Sequence, residues 1–189
     1  MSPEVLRSYE KSSLMRSVNT LLITPSRDFS LKIVSGGQSG VDRASLDVAL
    51  ALGIPCGGWC PHGRWAEDGE IPAHYPLTEC ADIDPALRTE LNIRDSDATL
   101  VIGSGREIDG TALTIECARR YGRPLFIMDP QRWDPSEFHR WFARYRLRVL
   151  NIAGPRESTH PGSYAEAYRL LQSLFGELVE KTVMGESSC

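Results

Sequence analysis

Leu31-Lys32-Ile33-Val34-Ser35-Gly36-Gly37-Gln38-Ser39-Gly40-Val41-Asp42-Arg43-Ala44 joins a short apolar run to a glycine-rich turn and the start of a helical pattern. Leu31 to Val34 predicts a buried strand, and the pattern through Leu52 predicts a helix from about Val41. A turn of this kind leaves backbone N–H groups unpaired at the positive end of the helix dipole, which attracts phosphate or another oxyanion. Its spacing excludes three familiar signatures. No Gly-Lys-Ser/Thr follows, as a P-loop needs, and Gly36 to Gly40 lacks the Gly-x-Gly-x-x-Gly spacing of dinucleotide sites. Val41 stands where a hydrolase elbow around Ser39 would need its closing glycine.

Outward from this turn, apolar runs alternate with helical patterns. Further strands are expected around Pro55 to Gly58, at Thr99 to Ile102, Leu125 to Met128 and Arg148 to Ile152. Helices are expected at Pro85 to Arg94, Thr111 to Tyr121, Pro135 to Tyr145 and about Ser163 to Glu180. A long loop, Trp59 to Pro76, interrupts the alternation. The pattern predicts an α/β, Rossmann-like, doubly wound parallel sheet of about five strands with helices on both faces. The expected strand order is 2-1-3-4-5, with the winding reversing between the first and third strands. Ligands bind at such a reversal, beyond the carboxyl ends of the strands. The organisation expected is an arm at 1–29, one domain at 30–182 and a polar tail at 183–189.

A chain of 189 residues with 41% hydrophobic and 24% charged residues fits one globular domain. The net charge of -4 argues against a protein that coats nucleic acid. No segment reads as a signal peptide or membrane span, and five cysteines fit reduced thiols, so a cytoplasmic location is expected. Cys56, Cys60 and His62 lack further ligands in metal spacing, so no structural zinc is expected. His139 and His160 stand isolated and suggest no role.

Gly103-Ser104-Gly105-Arg106-Glu107-Ile108-Asp109-Gly110-Thr111 is a second anion candidate. Gly110 permits close backbone approach, Thr111 can cap the helix, and Arg106 can pair with an oxyanion. The Trp59 to Pro72 segment carries two Trp, a Cys and a His, which suits a covering loop. Trp59 could stack on a flat heterocycle whose ring N–H groups Glu67 or Asp68 accept. Arg43, Arg64, Arg106 and Arg156 are candidate charge partners. Arg88, Glu90, Asn92, Arg94, Asp95 and Asp97 read mostly as a solvated face, with Asn92, Arg94 and Asp95 placed to brace the glycine loops.

Together, Ser35–Ala44, Gly57–Pro61, Ala66–Pro72, Thr89–Asp97, Gly110–Thr114 and Leu150–Arg156 resemble the molybdenum carrier family. The resemblance spans about Leu31 to Leu178. It implies a Rossmann-like fold in the superfamily that includes lonely-guy phosphoribohydrolases and DNA-processing A proteins. It also implies carriage of molybdenum cofactor (molybdopterin), a pterin dithiolene with a phosphate and an oxo-metal. Lonely-guy hydrolases resemble the chain around Gly110-Thr111, but their catalytic Glu position is Thr114 here, and Glu116 lies roughly 200° round an ideal helix. His62 stands where the carrier pattern suggests Lys or Arg, which would make phosphate attraction pH-dependent.

The resulting expectation is a binding or carrier protein rather than an enzyme. Its ligand contacts are expected from Gly36, Gly37, Gln38, Ser39, Gly40, Arg43, Trp59, His62, Arg64, Glu67, Asp68, Gly103, Ser104, Arg106, Gly110, Thr111 and Thr114. Gly37→Asp is expected to abolish binding with the fold intact. The alternatives are a nucleoside-monophosphate hydrolase using Glu116 or Asp109, and a nucleotide-sensing regulatory module. Expected partners are a small phosphorylated ligand, molybdoenzymes or cofactor-biosynthesis proteins, and, by analogy, further copies of the chain. Neither nucleic acid nor membrane is expected to bind.

Overall fold

A computed structural model describes residues 31–104 and 110–185. The expected arm, Arg106, Asp109 and the last four residues of the expected tail lie outside them. In chain order the elements are β1 (Lys32–Val34), α1 (Val41–Ala51), β2 (Cys56–Gly57), β3 (Trp59–Cys60), a 3-10 turn (His62–Arg64), β4 (Trp65–Ala66), β5 (Gly69–Glu70) and β6 (Thr78–Glu79). There follow α2 (Pro85–Arg94), β7 (Ala98–Ile102), α3 (Gly110–Arg120), β8 (Leu125–Met128), α4 (Pro135–Tyr145), β9 (Val149–Ala153) and α5 (Ser163–Gly185).

Local chemistry sets several boundaries. Asp84 and Asp134 accept hydrogen bonds from Ala86 N–H (2.9 Å) and Ser136 N–H (2.8 Å), capping α2 and α4, and Pro85 and Pro135 occupy the first helical position of each. The last helix runs to Gly185, beyond its expected end at Glu180.

The five-stranded sheet is parallel throughout and ordered β2-β1-β9-β7-β8. Val41, Val48, Phe138, Leu171 and Phe175 from α1, α4 and α5 bury one face together with Ile33, Leu100 and Ile152. Ile93 of α2 packs with Cys117 and Ala118 of α3 and with Leu125 on the other side. The Rossmann-like α/β class holds. Two small accessories, the parallel pair β3–β6 and the antiparallel hairpin β4–β5, fold the 59–79 segment beside α1.

The strand order corrects the expectation. The last strand, β9, stands between the first and third, pairing Ile33 with Leu150 on one side and Leu100 with Ile152 on the other. Two hydrogen bonds fix its entry: Arg148 N–H and Val149 N–H both donate to Asp97 Oδ2 at 2.8 Å, just ahead of β7. Leu150 to Ala153 are buried, as a central strand requires, whereas Ile127 of the more apolar β8 is 37% exposed at the sheet edge. Asn151 is tolerated at the centre because its Nδ2 donates to Thr99 Oγ1 at 3.3 Å. The winding therefore reverses around β9, whose carboxyl end lies between those of β1 and β7.

Candidate functional site

The amides of the first glycine turn are partly spent inside the protein. Gln38 N–H donates to Asp42 Oδ2 at 3.4 Å, Ser39 N–H to the Gln38 side-chain oxygen at 3.0 Å, and Val41 N–H to the Pro155 carbonyl at 3.2 Å. Gly37 has φ 75° and faces Ile71 and Leu77, so a side chain there strains the backbone and collides with that cluster. Gly37→Asp would thus damage the fold, contrary to the expectation.

Arg88 is the residue that the sequence placed on a solvated face and the fold places inside. It projects from α2 over Gly36, filling the space where a side chain at that position would begin. Its Nη1 donates to Asp42 Oδ2 at 2.9 Å, with the two side chains 16% and 4% exposed. Burial pushes the Asp42 carboxyl above its ordinary range, and the Arg88 charge draws it partly back. Arg88 Nε is buried and has no acceptor among the described residues. The same side chain lines a narrow polar cleft with Gln38, Gly110, Thr111, Thr114 and Arg156, at the N-terminus of α3. A fixed guanidinium with an unspent N–H beside a helix N-terminus is the chemistry that binds an oxyanion, and the cleft, of about 30 Å³, must widen to admit one.

A second cleft, of about 380 Å³, opens on the other side of the β9 turn. Val41, Ile102, Pro155 and Pro161 give it apolar walls, while Ser163 and Glu166 bring polar groups from α5. Gly103 and Ser104 line it as well. The turn alternates between the clefts: Gly154 and Arg156 line the polar one, Pro155 the apolar one. The two spaces thus share the turn that leaves β9, at the carboxyl end of that strand.

Glu67 joins the first turn to the β9 turn. It accepts from Ser39 Oγ and Ser158 Oγ, and from Ser158 N–H at 3.0 Å, with Arg156 Nη1 3.9 Å away. Burial pushes its carboxyl up, but the hydrogen bonds from Ser158 and Ser39 outweigh that and leave it below the usual range. Gln38 completes the link by accepting from Glu67 N–H at 2.9 Å. Arg43 pairs with Asp68 at 3.3 Å and donates twice to the Gly37 carbonyl.

Ser39, Gly40, Arg43, Glu67 and Asp68 line a third, outer groove of about 710 Å³. There Asp47 accepts from Tyr75 Oη (2.6 Å) and Tyr164 Oη (2.8 Å). Burial and the Asp47 carboxylate raise both phenols, Tyr164 to about 12.

Three expected contacts line none of the three spaces described above. Trp59 donates its indole N–H to Asp95 Oδ2 at 2.9 Å, and its backbone is held at both ends by the Asn92 amide (2.8 and 2.9 Å). Arg64 spends its guanidinium on the carbonyls of Ile71, Pro72, Tyr75 and Leu77, which ties the accessory loop together. His62 is 70% exposed, 3.6 Å from Glu79. Among the described residues no group of three or more His, Cys, Asp or Glu could hold a metal ion, and no helix is long and apolar enough to cross a membrane.

A family model described as the circularly permutated YpsA SLOG family matches residues 33–175. Among solved structures, the chain is similar to one described as "Putative molybdenum carrier protein" from Syntrophus aciditrophicus SB. The identity is 42%, over 76% of this chain and 93% of that one, with a TM-score of 0.72. No curated protein matches the chain significantly.

Proposed function

The chain belongs to the circularly permutated YpsA SLOG family, and from that premise we propose that it binds and carries a phosphorylated, nucleotide-like anion, with molybdenum cofactor as the leading cargo. The observation that carries this reading is the Arg88 side chain, whose buried Nε–H is unspent among the described residues and which lines a cleft with Arg156 and the start of α3. Arg88 would hold the phosphate, with Gly110, Thr111 and Thr114 around it. The solved relative described as a molybdenum carrier supports the choice of cargo. A cytoplasmic protein that hands the cargo to cofactor-requiring enzymes would follow from this reading.

Holding rather than cutting is supported by α3. Thr114, at the hydrolase acid's position, turns its hydroxyl back to the Gly110 carbonyl at 3.0 Å. Glu116, the substitute acid, is exposed and does not line the polar cleft.

Gly110→Asp provides the test. Among the described residues nothing lies within 4 Å of a side chain placed at Gly110, so the variant adds negative charge at the cleft without displacing any of them. Titration calorimetry with inorganic phosphate and nucleoside 5′-monophosphates should show at least about a tenfold loss of affinity, about 1.4 kcal/mol. Molybdenum analysis of protein purified from its host should fall in parallel. Unchanged affinity for every probe overturns the assignment.

A further inference from the structure

We propose that the apolar cleft is the ring subsite of the same ligand, and that Glu166 reads a 2-amino-4-oxo-pyrimidine edge, the edge that guanine and pterins share. The inference rests on the phosphate reading above and adds to it what the rest of the ligand must look like.

The cleft's apolar walls, Val41, Ile102, Pro155 and Pro161, suit the faces of a planar ring. Its volume of about 380 Å³ lies within the range of small-molecule sites, which begins at about 300 Å³. Glu166 sits in the first turn of α5 at the wall of this cleft, only partly exposed. Gln131 donates its amide N–H to Glu166 Oε1 at 2.9 Å, which orients the carboxylate and, among the described residues, leaves most of its lone pairs unspent.

An ionised carboxylate only accepts hydrogen bonds. It complements a ring edge that offers two adjacent donors, as the ring N–H and exocyclic amine of a 2-amino-4-oxo-pyrimidine do. An adenine ring presents an acceptor nitrogen beside its amine and would set a lone pair against the carboxylate. The position agrees with the phosphate site: Pro155, which walls the ring cleft, lies between Gly154 and Arg156, which line the polar one. A ligand passing over this turn places its phosphate by Arg88 and its ring by Glu166.

The experiment is a binding comparison of wild type and Glu166→Gln with guanosine, inosine and adenosine 5′-monophosphates, a pterin phosphomonoester and inorganic phosphate. Wild type should bind the guanine nucleotide or the pterin at least about tenfold more tightly than the inosine and adenosine nucleotides, the scale of one bidentate contact. The tighter of the two favoured probes tells whether the edge belongs to a nucleotide or to a pterin. Glu166→Gln should erase the preference while leaving affinity for inorganic phosphate unchanged, a change that a purely structural role at the start of α5 would not produce. Equal binding of all bases by wild type, or a preference that survives in Glu166→Gln, overturns the ring reading and spares the phosphate one. Failure of every phosphorylated probe and of phosphate overturns both.

Discussion

Arg88 reaches from α2 to Asp42 in the first turn of α1, closing a 2.9 Å ion pair between residues 46 apart in sequence. Arg88 is packed over Gly36, so one contact fixes both the first glycine turn and the side chain that lines the polar cleft.

Arg88→Met should therefore destabilise the fold by about 3–5 kcal/mol, because it strands a buried carboxylate. Burial already raises the Asp42 carboxyl above 3.8, and loss of the arginine raises it further. A raised acid stabilises the fold below its unfolded value and loses that contribution as pH rises through the folded one. Urea unfolding should show the deficit growing from acid toward neutral pH, and Asp42→Asn in the same protein should relieve it.

Glu67 carries the opposite sign. Its carboxyl is held below 4.5, so its contribution is present above that value and is lost as pH falls through the depressed one. Protection of the Ser158 amide, taken relative to the intrinsic exchange rate at each pH, should fall on acidification, and Glu67→Gln should flatten that pH dependence.

The two tyrosines on Asp47 should ionise late in an alkaline titration followed by tyrosinate absorbance. Tyr164 is raised from 10.0 to about 12, so its contribution is full below pH 10 and fades as pH rises through about 12. Asp47→Asn should bring this late phase back toward the ordinary tyrosine range.

Asp97→Ala should cost about 1–3 kcal/mol in chemical denaturation, since the amides of Arg148 and Val149 lose their shared acceptor at the entry to β9. Asp97→Asn, which retains one acceptor oxygen, should cost less.

What was legible in the sequence is what depends on chain neighbours. The strand–helix alternation, the Asp-Pro starts at Asp84 and Asp134, and the glycine turn after β1 follow from adjacent residues. Strand order depends on partners far apart in sequence. Leu125 to Met128 looks more central than Leu150 to Ala153, yet Asp97 and Thr99 draw the latter beside β7. Arg88 reads as solvated for a similar reason, since its neighbours on α2 are charged and its partner lies on α1. Arg64 looked like a ligand for anions, but its acceptors are four carbonyls that only the folded 64–77 loop brings together.

The central position of β9 also governs the order of events at the ribosome. Until residue 153 has been made, the β1–β2 pair and the β7–β8 pair share no hydrogen-bonded edge. Both clefts take walls from the chain between Ala153 and Glu166 as well. A nascent chain that stops short of them has a divided sheet and neither complete cleft, so the ligand site proposed above would be whole only on a chain whose synthesis has passed that point.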